Sequence, residues 1–315
     1  MKKILTAIAA LLISLQALEI SAASHQPIAN GAKDSTTYYI SAPRFVRPLI
    51  ERWISEYRKE VPGANFAIAK TPVAKNGSML SVRLSHTASE KGTGLRTAYF
   101  GQYAILPFTT QDSEAARLLA GQQLNAKKLK ALYFENEEAD EESGKKSKFD
   151  KITVYSGSGR ESVSREFASF YGQEPNNFRG KRIVGDDLFL NTALSKDPQG
   201  VSFNALANLY DLTTRKVKKG LRILNLDCSK EEKSALADSD MDTLLDVLET
   251  GKDSRIPVER IGFAYQEGSA EATLFLAWIL TKGQQYNHEY GIMRLDAKLL
   301  AEQTKELPTR LTAQK

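Results

Sequence analysis

Ser156, Gly157, Ser158, Gly159 and Arg160 lie in the stretch Lys151–Tyr171, KITVYSGSGRESVSREFASFY, and are the residues whose types and spacing best suit chemistry. Ile152 and Val154 predict a buried strand and the Gly/Ser run a turn. Val163, Phe167 and Phe170, at i, i+4 and i+7, predict one face of a helix. A helix start carries unpaired backbone N–H groups at the positive end of the macrodipole. Glycines let the backbone come close to a ligand, and serine hydroxyls add neutral donors, so the turn suits a small oxyanion. An ordinary Ser-capped helix after a strand explains the same residues equally well.

A second helix start lies over a hundred residues upstream. Thr36–Ile40 reads as a strand, Ser41 as a helix cap and Pro43 as a first-turn residue. Val46, Leu49, Ile50, Trp53, Ile54 and Tyr57 form an amphipathic stripe, ended by Pro62-Gly63. Asn65–Ala69 and Met79–Leu84 read as strands on either side of a Gly77-Ser78 turn, and Tyr103–Phe108 as a fully buried strand.

The remaining chain alternates in the same way. Helices are expected at Glu114–Ala120, Asn125–Phe134, Asp187–Leu194, Phe203–Leu212, Met241–Leu248 and Ala270–Thr281, with a helix-prone tail after Leu300. Strands are expected at Arg182–Val184, Gly200–Phe203, Leu221–Leu226 and Pro257–Tyr265, and a charged surface loop at Glu135–Lys148. This is an α/β pattern with mixed, mostly parallel sheets. Two distant strand–turn–helix starts suit a two-lobed protein with its ligand cleft between the lobes, beyond the carboxyl ends of strands.

Residues 1–23 read as a cleavable signal peptide. Lys2 and Lys3 form the basic region, Ile4–Leu18 the apolar region, and Ser21-Ala22-Ala23 the cleavage site. The apolar run is too short for a membrane span. Periplasmic export is therefore expected, with a mature chain of roughly 290 residues starting near Ser24. Removing Lys2, Lys3 and Glu19 lowers the formal charge from +5 to about +4, a mild basic excess. The single cysteine, Cys228, excludes an intrachain disulfide and reads as a buried apolar residue.

Taken in order, these segments resemble the periplasmic phosphate-binding proteins of ABC transporters, a branch of the type II periplasmic binding proteins. The resemblance spans nearly the whole mature chain. Ile40-Ser41-Ala42-Pro43 with the following PLIERWISEY is similar to that family's first Gly-Ser-Thr helix start. Lys75-Asn76-Gly77-Ser78 is similar to its second Gly-Ser turn, and Ile152–Phe167 to its Ser-Gly-Thr segment. Tyr103–Thr110 resembles the strand that crosses between lobes, and Phe275–Gln284 with Gly291 the family's ending.

The resemblance implies a first lobe of residues 24–105 and 227–315, a second of 106–226, and hinges near Leu106 and Leu226. It implies capture of a small oxyanion, phosphate first, through Ser41, Ala42, Ser78, Ser156, Ser158, Arg160 and Ser162. Delivery would be to an ABC transporter permease, by a protein working as a monomer without cofactor or metal. Three departures stand out. Ala42-Pro43 replaces a Ser-Thr pair, Ser162-Val163-Ser164 replaces Ser-Gly-Thr, and Leu84–Thr97 holds Glu90 as its only acid where the family has a proton-accepting residue.

Catalysis is disfavoured by the residue inventory. His25, His86 and His288 with one cysteine make no metal set of usual spacing, and there is no HExxH, G-x-S-x-G or P-loop. The alternative is a divergent module of the same fold with another ligand or a protein partner. Export, mild charge and the lack of a basic–aromatic stripe oppose nucleic-acid binding.

Overall fold

In chain order, β1 (Tyr38–Ser41) leads through a 3-10 turn at Arg44–Val46 into α1 (Arg47–Glu60), then β2 (Phe66–Ile68), β3 (Ser78–Leu84) and β4 (Leu95–Thr110). There follow α2 (Glu114–Leu118), α3 (Ala126–Tyr133), β5 (Thr153–Gly157), α4 (Ser164–Phe170), β6 (Lys181–Ile183), α5 (Leu188–Leu194), β7 (Gly200–Ala205), α6 (Leu206–Leu209) and β8 (Leu221–Ile223). The chain ends with α7 (Lys230–Asp238), α8 (Met241–Thr250), β9 (Val258–Gln266), α9 (Ala270–Thr281) and α10 (Ala297–Glu306). This computed structural model describes residues 37–70, 78–84, 95–135, 149–251, 254–266 and 268–307. The signal peptide, the Lys75–Gly77 part of the second turn, His25, His86, Glu90 and residues 136–148 of the charged loop lie outside the described residues.

The strands run in the order β2-β1-β3-β9-β4-β7-β5-β6, with β8 also on β4. Among the described residues the pairing is more evenly mixed than the expected mostly parallel sheet. β1 is parallel to β2 and β3, and β5 to β6 and β7. β9 is antiparallel to β3 and β4, and β4 to β7 and β8. Most of the antiparallel share comes from β4, which pairs with β9 through Ala104 and with β7 from Ile105 onward, and the rest from β9 on β3.

Each half of the sheet has its own aromatic packing. On one side all six stripe residues of the α1 segment are buried. Trp53 donates from Nε1 to the Gly283 carbonyl at 2.9 Å and meets Phe100 edge-on at 5.0 Å. On the other side the Phe167 and Phe203 rings stack at 4.0 Å and 3°, and the Tyr133 hydroxyl donates to the Ser202 carbonyl at 2.8 Å.

Several sequence expectations need correction. Ser41 does not cap a helix: it ends β1, and Pro43 is held extended (ψ 148°) before the 3-10 turn. The α-helix proper starts at Arg47, so the proline in its first turn is Pro48. α4 starts at Ser164 and is seven residues long, so Phe170 turns outward, 39% exposed, and Tyr171 takes its place in the core. The segment expected to be helical from Phe203 stays in β7 to Ala205, leaving one helical turn in α6. α7 was not anticipated, although Ser229 and Glu232 form a capping box at its start.

Phe167 has no exposure and stacks on Phe203. Phe167→Ala should cost about 3–5 kcal/mol, since a cavity in a ring-lined core collapses only partly. Urea unfolding of the two proteins measures this directly.

Candidate functional site

A cleft of about 1000 Å³ opens between the β1/α1 side and the β5/α4 side of the sheet. Its first wall carries Ser41, Arg44, Arg47, Lys70, Ser81 and Arg83. The facing wall carries Gly159, Arg160, Glu161, Asp186, Asp187 and Phe189. Cations thus dominate one side, and the acidic residues all lie on the other.

Contacts already span the cleft. The Ser41 hydroxyl donates to Glu161 Oε1 at 3.5 Å, and Arg44 Nε lies 3.7 Å from Asp186 Oδ2. Both are solvent-accessible and therefore weak. Arg47 donates from Nε to the Ala42 carbonyl at 2.8 Å, which folds its side chain back over the β1–α1 turn.

The Gly/Ser turn is organised around a carboxylate supplied by the protein. Asp187 Oδ2 accepts the Val163 N–H at 2.9 Å, just ahead of α4. The neighbouring N–H groups are also accepted internally, Ser162 by the Gly159 carbonyl (3.1 Å) and Ser164 by Ser162 Oγ (3.2 Å). Gly157 donates to Ser164 Oγ at 2.9 Å. A Cβ on Gly157 would collide with Asp187 Oδ1 and Ser162 Oγ, and one on Gly159 would lie 2.7 Å from the Gly185 carbonyl. These glycines therefore admit the 185–187 loop.

Buried asparagines hold that loop in place. Asn204 donates to the Asp187 carbonyl at 2.8 Å, and its Oδ1 accepts from Ala205 N and from Asn208 Nδ2, both at 2.9 Å. Asp186 accepts the Leu188 N–H at 2.9 Å and so fastens the start of α5. Burial raises the Asp187 pKa from 3.8 to about 6, against the lowering effect of the Val163 and Ser162 donors, with nearby Asp186 adding to the rise.

The sequence-derived site residues separate into groups. Ser41 and Arg160 line the cleft, on opposite walls. Ala42 is 1% exposed. Ser156 is buried in β5, and Ser162 is buried with its hydroxyl 2.9 Å from that of Ser164. Ser158 donates its N–H and hydroxyl to the Ile183 carbonyl, at 3.0 and 3.3 Å. Ser78 opens β3 opposite Tyr39, and its side chain lies outside what is described. Arg44, Arg47, Arg83, Asp186 and Asp187 were not singled out from sequence. The one available signal was Gly185-Asp186-Asp187 placed directly after a predicted strand.

Outside the cleft, Asp246, Glu249 and His288 come together, the only such metal-capable group among the described residues. Glu249 there bonds His288 Nε2 at 3.0 Å and Arg294 at 2.8 Å, an ion-paired cluster that ties α8 to the 288–294 segment. Among the described residues no helix is long and apolar enough to cross a membrane.

No protein-family model matches the chain. Nor does any curated protein. Solved structures do align. A Clostridium perfringens protein described as a phosphate ABC transporter substrate-binding protein, with bound phosphate, shares 13% identity at TM-score 0.57, covering 82% of this chain and all of that one. An ABC-type phosphate transport receptor from Vibrio cholerae shares 14% identity at TM-score 0.52, again over 82% of this chain and all of that one. At such identity the likeness is one of fold: the two-lobed, type II periplasmic-binding-protein-like α/β fold.

Asp187 binds its proton more tightly in the folded chain, between about pH 4 and 6. Its contribution therefore favours the fold at low pH and is lost as pH rises through about 6. Relative to Asp187→Asn, the wild type should gain on the order of 3 kcal/mol between pH 7 and pH 4. Urea unfolding of both proteins across that range checks this, and parallel curves would contradict it.

Proposed function

We propose that this protein is an exported, non-enzymatic solute-binding module that captures an anion in the cleft between its lobes. The observation carrying this reading is the concentration of cationic side chains on the cleft walls: Arg44, Arg47, Lys70 and Arg83 on one, Arg160 on the other. Guanidinium groups suit carboxylate or phosphate because their planar forks make paired, charge-assisted hydrogen bonds.

Capture proceeds by hinged closure. The lobes of this reading are residues 24–105 with 227–315, and 106–226. The change of β4's partner between Ala104 and Ile105 supports a hinge at the first crossing. Closure brings Arg160 toward the arginines opposite and gives an ABC-type permease a bound form to recognise. The module works singly in the periplasm, with no nucleic-acid partner and no catalytic step. Ser41 and Arg160 are ligand contacts in this reading, joined by Arg83, while Ser156, Ser158 and Ser162 shape the turn.

One observation favours the second reading, a binding module whose ligand is not phosphate. The N–H before α4 that would hold a bare oxyanion already holds Asp187. A further dianion at that point would meet like charge in a desolvated setting, costing several kcal/mol.

A thermal-shift panel of phosphate, sulfate, molybdate and small carboxylates tests anion capture. A ligand at a hundred times its Kd adds about 2.7 kcal/mol to stability. Arg83→Ala and Arg160→Ala should each weaken the best anion at least about tenfold, or about 1.4 kcal/mol. A flat panel would instead favour a module that docks a protein partner.

A further inference from the structure

We infer that the cleft is shaped for an organic anion, a carboxylate or phosphate head on an apolar body, in preference to a bare inorganic oxyanion. The inference rests on the anion-capture reading above and names its ligand class. Three independent features of the cleft carry it.

The first is the fate of the dipoles. A bare dianion held in a dry site needs preorganised neutral donors to replace its hydration shell. Here the N–H groups of Ser162, Val163 and Ser164 all bond within the protein, as do the hydroxyl and N–H of Ser158. On the opposite wall the α-helix begins at Arg47, six residues beyond Ser41. In this part of the cleft the charge on a ligand therefore falls to side-chain guanidinium groups, which serve one anionic face of a larger molecule as well as they serve a free ion.

The second feature is size. The cleft volume of about 1000 Å³ lies at the top of the roughly 300–1000 Å³ range of sites that enclose drug-sized ligands. An inorganic oxyanion occupies only a small part of this open volume.

The third feature is apolar surface in the same cleft. Phe189 is 46% exposed and Leu95 44% exposed, and both line it. Gly185 leaves room for the Phe189 ring, since a Cβ there would approach it to 2.9 Å, and its φ of +110° would strain a side chain. A half-exposed aromatic lining the same cleft as the arginines offers an apolar ligand body a contact face.

Isothermal titration calorimetry on the full mature chain tests this, with inorganic phosphate, phenyl phosphate and butyl phosphate as probes at one pH and ionic strength. Phenyl phosphate should bind at least about tenfold more tightly than inorganic phosphate, with butyl phosphate between them. In Phe189→Ala the ratio of the phenyl phosphate to the phosphate constant should fall toward one, and Leu95→Ser should reduce it from the other wall. Inorganic phosphate binding as tightly as phenyl phosphate would overturn this inference and leave anion capture standing. A preference that survives both substitutions overturns the assignment of these two side chains. No heat with any of the three probes, nor with acetate and benzoate titrated in the same way, overturns anion capture itself, and this inference with it.

Discussion

The course of β4 is the constraint on which the rest of the structure depends. One strand of sixteen residues, Leu95–Thr110, pairs first with β9 and then with β7 and β8. Both walls of the cleft therefore hang from a single stretch of backbone. The change of partner falls within a buried run: Tyr103, Ala104, Ile105 and Leu106 are each 1% exposed or less. The hydrogen bonds to β9 and to β7 lie on either side of that run, within one continuous hydrophobic core. Aromatic rings pack on either side of it: Trp53 and Phe100 with Phe263 on one, Phe167, Phe203 and Phe178 on the other. The strand shared by the two aromatic clusters is where the proposed hinge would act.

Within the second half, Asp187 plays the part for its turn that β4 plays for the sheet. Its carboxylate meets the Val163 N–H, its carbonyl is held by Asn204, and the space beside it is open because residue 157 is glycine. Remove the carboxylate's partners and a buried charge is stranded; remove the glycine and the loop cannot approach. The same elements that make a strand–turn–helix start attractive to an external anion make it attractive to an internal one. Once the internal anion is in place, the positive end of that helix is neutralised locally, and Arg44, Arg47, Lys70, Arg83 and Arg160 supply cationic side chains around the cleft.

The fold was largely legible in the sequence because it rests on periodicity. The six-residue stripe of α1, the apolar run of β4 and the apolar helix α9 all carry strong local patterns, and the structure buries them. Errors fell where local pattern and tertiary pairing compete. Phe203–Ala205 is apolar enough for either element, and pairing with β4 keeps it extended. The start of α1 slipped because Ser41 and Pro43 form a plausible cap and first turn, while Pro48 supplies another first-turn proline nearby. α7 was missed because its apolar stripe is weak, although its capping box stood in plain view.

The cleft was only partly legible, and the reason is physical. A run such as Ser156-Gly157-Ser158-Gly159 states what the turn can accept, not what occupies it. The occupant is Asp187, about thirty residues along the chain, and nothing local to the turn encodes that meeting. Charge distribution is non-local in the same sense. Arg44 and Arg47 look like solvated helix residues, and Arg83 like one face of a strand, until the sheet carries them to one wall. The departures at Ala42 and Val163 were nevertheless informative when read one at a time. Ala42 is packed at 1% exposure and Val163 at 0%, so both side chains are core contacts, and the Val163 N–H goes to Asp187. With the N–H groups ahead of α4 satisfied internally and guanidinium groups on both walls, the proposed ligand is one whose charge is met by side chains. The cleft suits an anion whose remaining surface can rest against carbon.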